Sequence, residues 1–127
     1  NWGPLNPEAV LAANPDHVII AGSSWQNRPK AVKLGYASDD ATARATLLPY
    51  TKRAGWDTLK TVQQQHVYTL DHGLARTLVD YTAMQFIAKQ LYPAQFADVN
   101  PVAELRQFHE RYLPVKYSGS WMVTLKP

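Results

Sequence analysis

The sequence predicts an α/β fold of the doubly wound kind, with helices packed on a sheet that contains parallel strands. Three observations predict it. A capped helix start leads into a short β-branched run that ends in small residues. A second run of β-formers leads into the most regular amphipathic segment of the chain. The composition, 46% hydrophobic and 18% charged over 127 residues, is that of an ordinary globular chain with no low-complexity tract. That length suits one domain spanning 1–127, or one lobe of something larger.

The first helix is marked by Asn6 as cap, Pro7 at the first helical position and Glu8 in the first turn, followed by Ala9, Val10 and Leu11. Asn14-Pro15-Asp16 ends it, because a proline disfavours helical geometry in the residue before it. His17-Val18-Ile19-Ile20-Ala21 then reads as a buried strand in a parallel sheet, and Gly22-Ser23-Ser24 as the loop at its carboxyl end. In open α/β sheets ligands bind outside such strand ends.

Residues 25–38 lack periodicity and read as an ordered loop. Asp39-Asp40 opens a helix running to Leu48, with Pro49 expected to kink or end it. Residues 56–62 carry one or two helical turns, and His66-Val67-Tyr68-Thr69-Leu70 is the second strand. Beyond Asp71-His72-Gly73-Leu74-Ala75-Arg76, a helix is predicted from Val79, Ala83, Phe86, Ile87 and Leu91, stopping at Tyr92-Pro93. Asn100-Pro101 starts another, with Val102, Leu105, Phe108 and Tyr112 on one stripe. The tail around Trp121-Met122-Val123 is expected to pack as an extended arm.

Zero cysteines exclude disulfides, iron–sulfur clusters, thiolate zinc sites and thiol nucleophiles. Residues 1–27 hold Glu8 and Asp16 and no Lys or Arg, whereas residues 28–76 hold eight basic and four acidic residues. This mid-chain excess lacks the density of a nucleic-acid stripe and suits an anionic small ligand better; no nucleic-acid partner is expected. No apolar run reaches the roughly 18 residues of a membrane span. The start, Asn1-Trp2-Gly3-Pro4, has no signal-peptide character, so the chain reads as a mature or trimmed product.

Two groups of residues stand out as binding candidates. Trp2 and Trp25 flank the first helix and first strand, as cleft aromatics for a bulky ligand or as caps on the core. In the Asp71 to Arg76 loop, Arg76 near a helix N-terminus is mildly disfavoured by the helix dipole, which suggests a fork-like contact with a ligand oxyanion; pairing with Asp71 or Asp80 is the other reading. His72 is a metal ligand or a plain hydrogen-bonding residue. The four histidines are scattered, so no protein-built metal centre and no cofactor are expected. There is no HExxH, GxSxG, Walker loop or GxGxxG. Ser24 sits where a nucleophile would, but nothing nominates its base, so no catalytic residue is assigned.

The ordered combination of Asn6-Pro7-Glu8-Ala9-Val10-Leu11, Asn14-Pro15-Asp16-His17-Val18-Ile19-Ile20, His66-Val67-Tyr68 and Ile87-Ala88-Lys89-Gln90-Leu91-Tyr92-Pro93 resembles the C-terminal lobe of class III periplasmic substrate-binding proteins of ABC importers. Gly22-Ser23-Ser24, Asn27-Arg28-Pro29 and His72-Gly73-Leu74-Ala75-Arg76 look like its iron-compound branch. The resemblance implies a three-layer αβα lobe with a mostly parallel sheet, one lobe of a normally two-lobed protein, located in the periplasm or lipid-anchored outside the cytoplasmic membrane. It implies capture, not catalysis: an iron-chelate, siderophore-like ligand closed between this lobe and a missing N-terminal one, then delivered to the permease. Trp2, Ser24, Trp25, His72 and Arg76 would face the ligand, and Glu8 would dock on the permease. Glu8 also serves simple dipole stabilisation at its helix start. The alternatives are a haem, cobalamin or oxyanion binder of the same family, a small hydrolase using Ser24 with a histidine, a metallocluster oxidoreductase, which the missing cysteines oppose, and a free-standing single-lobe adaptor.

Overall fold

The structure, a computed structural model, describes residues 3–127. The first helix, α1 (Pro7–Ala13), is capped by Asn6, whose Oδ1 accepts the Glu8 N–H at 2.9 Å, and it ends at Asn14 in the left-handed conformation. Strand β1 (Val18–Gly22) follows, then helix α2 (Asp40–Thr51), a 3-10 turn at Trp56–Thr58 and the short helix α3 (Lys60–Gln63). Strand β2 (Val67–Asp71) leads through a 3-10 turn, His72–Arg76, into helix α4 (Asp80–Leu91). Helix α5 (Pro101–Tyr112) and strand β3 (Met122–Thr124) complete the order.

The sheet order is β1-β2-β3, with β1 parallel and β3 antiparallel to β2. Successive side chains of a strand point to opposite faces, and on the central strand both faces are covered. Val67 joins Val32, Leu34, Ala43, Leu47 and Val123 on the α2 side. Tyr68 joins Leu74, Ala83, Phe86, Leu105 and Met122 on the α4–α5 side. Helices on both faces of one sheet make the expected three layers. The sheet itself is mixed, because the tail read as an extended arm supplies the antiparallel strand.

Several local expectations are corrected. Both strands start one residue later than predicted. β1 is an edge strand and not fully buried: Ile20 packs toward α2, while Ile19 is 41% exposed. Pro49 does not end α2, which runs on to Thr51; the proline sits in the last turn, and Thr51 Oγ1 donates to Leu48 O at 2.8 Å while Lys52 N–H reaches Pro49 O. The segment after Trp56 is broken at Leu59, whose backbone is extended. On α5 the buried positions are Pro101, Leu105 and His109, a spacing of four, and the expected stripe residue Tyr112 faces solvent. Among the described residues no helix is long and apolar enough to cross a membrane.

Candidate functional site

The candidate site lies on the loops that leave the carboxyl ends of β1 and β2. At Gly22, the last residue of β1, an added Cβ would stand 2.8 Å from Leu34 Cδ1 and 2.9 Å from Val32 O, so the absence of a side chain lets residues 32–34 cross the strand end. Ser23 N–H donates to Val32 O at 3.0 Å, and Gly35 N–H to Ser120 O at 2.7 Å. The loop is therefore stitched at one end to β1 and at the other to the segment entering β3.

Lys33 holds the loop from within. Its Nζ donates to Trp25 O at 2.9 Å and to Arg28 O at 3.1 Å. This brings the Arg28 guanidinium over the Trp25 ring, 5.3 Å from its centroid. On the β2 side, His72 approaches the same ring with centroids 5.8 Å apart and planes tilted by 45°. Trp25 thus contacts a guanidinium and an imidazole carried on two different loops. A cation over an indole face contributes roughly 0.5–1 kcal/mol when exposed. It also leaves basic character beside an aromatic platform.

Asp71 ends β2 and is 5% exposed. Its Oδ1 accepts the Gly73 N–H at 2.8 Å and so starts the 3-10 turn. Burial pushes its carboxyl above the usual aspartate range, partly offset by that hydrogen bond and by the neighbouring His72. A Cβ built on Gly35 would lie 3.8 Å from Ser24 Cβ and 3.9 Å from Asp71 Oδ2, which puts Ser24 and Asp71 around one glycine. Beyond the turn, a hollow of about 440 Å³ is walled by Tyr36, Leu74, Leu78, Phe108, His109 and Trp121.

The structure therefore gathers Ser24, Trp25 and His72. Arg76 is exposed in the last turn of the His72–Arg76 segment, four residues before α4 begins at Asp80. The dipole conflict expected from sequence does not arise, since a cation is favoured in a last turn. Neither expected pairing of Arg76 forms: the ion pairs among the described residues are Arg44 with Asp40 and Lys60 with Asp16. Trp2 lies outside the described residues. Glu8 is exposed on the first turn of α1.

Sequence reasoning missed Arg28, Lys33 and the buried Asp71, which act through loop contacts that no periodicity encodes. It also read the histidines as scattered. His17 and His66 in fact stack, with centroids 4.7 Å apart and planes within 7°, because they precede Val18 and Val67, which pair in register. Their place is the opposite end of the sheet. Among the described residues no group of three or more His, Asp or Glu is placed to hold a metal ion.

Aromatic, cationic and small polar side chains gather on the strand-end loops of an α/β/α body, the end at which open α/β sheets bind ligands. In fold the chain matches a single lobe of a TroA-like periplasmic binding protein. The particular relative is the TroA-like periplasmic binding protein FepB from Veillonella parvula, whose crystal structure superposes with a TM-score of 0.94 and 39% sequence identity. The match covers 98% of this chain and 36% of that one. No protein-family model and no curated protein matches the chain.

Proposed function

We infer that this chain is the C-terminal lobe of the solute-binding component of an ABC import system, acting in the periplasm or anchored by lipid outside the cytoplasmic membrane. It captures a solute between two lobes and hands it to the permease without chemical change. The observation that carries this reading is Trp25 placed against Arg28 and His72 at the strand ends of a fold so close to FepB. An aromatic face suits the apolar scaffold of a chelate, while Arg28, Arg76, Ser24 and His72 suit its polar or anionic edge. These features favour an iron-chelate over an uncharged solute. Glu8, exposed and outside the ion pairs of the described residues, is the residue for permease docking, where charge sets orientation more than affinity.

A single wall does not bury most of a ligand, so the test uses a two-lobed hybrid in which these 127 residues replace their counterpart in Veillonella parvula FepB. Tryptophan fluorescence is titrated with ferric citrate, haem, cobalamin and molybdate. Saturable quenching by the ferric chelate, weakened about tenfold by Trp25→Ala, is expected. Preference for haem, cobalamin or molybdate would select the runner-up ligands. Affinity indifferent to Trp25→Ala would remove this lobe from the capture site.

A further inference from the structure

From residue 25 to 38, and again from 41 to 56, the sequence holds six basic residues and no Asp or Glu: Arg28, Lys30, Lys33, Arg44, Lys52 and Arg53. Two of them are used inside the fold. Lys33 holds its loop through Trp25 O and Arg28 O, and Arg44 donates to Thr124 O beside Asp40. The other four are exposed, and none of them forms an ion pair among the described residues. Scattered exposed cations are ordinary, but cations gathered around one hollow without a carboxylate in its walls raise the local positive potential and favour an anion there.

Such a hollow, of about 440 Å³, lies between the Pro29–Lys30 loop and the end of α2, with Lys30, Pro49, Tyr50 and Arg53 in its walls. The Tyr50 hydroxyl donates to Lys30 O at 3.1 Å and fastens the loop to the helix. The Arg53 guanidinium lies 4.3 Å from the Tyr50 ring centroid and 5.4 Å from that of Trp56. Ring faces hold it in place without using its N–H donors, which stay available to an oxyanion. The outward side of α2 continues this surface. Ala41, Ala45, Leu48 and Lys52, spaced by four, three and four, are all exposed, and after Asp40 the helix carries no acid. A solvated helix face is normally polar and charged; this one is apolar along its length and basic at its end.

We propose that this surface rests on an anionic lipid bilayer, with a phosphodiester headgroup seated between Lys30 and Arg53, Lys52 facing its neighbours, and Leu48 and Pro49 at the boundary between headgroups and acyl chains. The cations answer the headgroup charge, and the exposed Leu48 answers the apolar boundary, which a free oxyanion in water does not offer. Helix α1 lies next to this surface, since Val10 and Arg53 line one groove and Leu11 sits against Gly55. The proposal rests on the reading above for its setting, because α1 carries Glu8, the residue for docking on a permease that itself sits in a bilayer. A Lys or Arg near an anionic membrane strengthens association about fivefold, and the gain fades within a Debye length of about 8 Å at physiological salt. Three such residues give a weak, reversible contact that salt dissolves.

Sedimentation of the FepB hybrid with vesicles tests this in the absence of any chelate, using phosphatidylcholine alone and phosphatidylcholine with about 30% phosphatidylglycerol. Binding that requires phosphatidylglycerol at about 0.05 M salt and is lost by about 0.5 M is expected. Lys30→Glu and Arg53→Glu should each weaken it about fivefold or more. Lys116→Glu, the same change of net charge on the segment between α5 and β3, should weaken it less than about twofold. The Lys30 side chain is exposed and forms no ion pair among the described residues, so Lys30→Glu should leave the Tm within about 2 °C and separates lost binding from lost folding. No binding, binding that ignores phosphatidylglycerol or Lys30→Glu, or equal weakening by Lys116→Glu would overturn the proposal. Displacement by about 5 mM inorganic phosphate at constant ionic strength would also overturn it, making a free oxyanion the occupant. Ferric-chelate binding is read without vesicles, so failure here and failure of solute capture are separate results.

Discussion

The Tyr36 hydroxyl and His109 Nε2 lie 2.8 Å apart across 73 positions of sequence. His109 Nδ1 faces Leu105 O at 2.9 Å, and a carbonyl only accepts, so Nδ1 carries the proton and Nε2 receives the one donated by Tyr36. His109 is 3% exposed, and Trp121 meets the Tyr36 ring edge-on at 4.6 Å. One hydrogen bond thus ties the loop from β1 to α5. Tyr36→Phe would leave Nε2 buried and unpartnered, at a cost of about 1–3 kcal/mol. Urea unfolding should show a lower midpoint with an unchanged slope. An unchanged midpoint would mean that the loop is held without this bond.

Gly119 supports the same loop through its backbone. Its φ is 83°, and an added Cβ would stand 2.7 Å from Tyr36 Cα and closer still to Gly35 O, both backbone atoms unable to step aside as a side chain would. Gly119→Ala therefore combines left-handed strain with a collision at the Gly35–Ser120 bridge. A loss of about 2 kcal/mol or more is expected. Thermal unfolding checks it, and a loss below about 0.5 kcal/mol would show that the two segments separate freely.

How much of this was legible in the sequence depends on whether a residue acts locally. The caps Asn6 and Asn100 and the Ala83 and Phe86 positions of the α4 stripe were readable because a cap or a helical stripe is set by neighbours within a few positions, whereas Leu91, expected on the same stripe, is exposed. Trp25, His72 and Ser24 were nominated by position at strand ends, and the structure brings them together. The resemblance supplied the lobe itself, which the FepB superposition supports. His109 was passed over because its partners come from the distant Tyr36, Tyr117 and Trp121. The outer edge of β1 was misjudged because a β-branched run looks the same whether one side or both are covered.

Arg76 separates a capture role from a structural one. It is exposed and has no ion pair among the described residues, so Arg76→Ala should leave the Tm within about 1 °C, as surface substitutions usually do. In the FepB hybrid the same change should weaken an anionic ferric chelate about tenfold and flatten the salt dependence of binding. Unchanged affinity with unchanged stability would discard Arg76 as a ligand contact and leave Arg28 as the guanidinium of the site.

Asp71 gives the clearest pH signature. Burial holds its carboxyl above the ordinary value of 3.8, so the folded chain favours the protonated acid more than the unfolded chain does. The stability this confers is complete below 3.8, where both states are protonated, and is lost as pH rises through the folded value. Once the carboxyl ionises, burial opposes its charge. Asn keeps the Oδ1 that accepts the Gly73 N–H while removing the charge, so Asp71→Asn should raise the Tm at pH 7 by about 2–4 °C. The gain should shrink toward zero as pH falls below 3.8. Circular-dichroism melts from pH 3 to 8 read both. A lower Tm for Asp71→Asn at pH 7 would mean that the hydrogen bonds and the nearby His72 outweigh desolvation, and that the carboxylate is kept at this rim as a charge. In that case the same variant in the hybrid should bind cationic solutes more weakly, a result opposed to the anionic ligand that Arg28 and Arg76 favour.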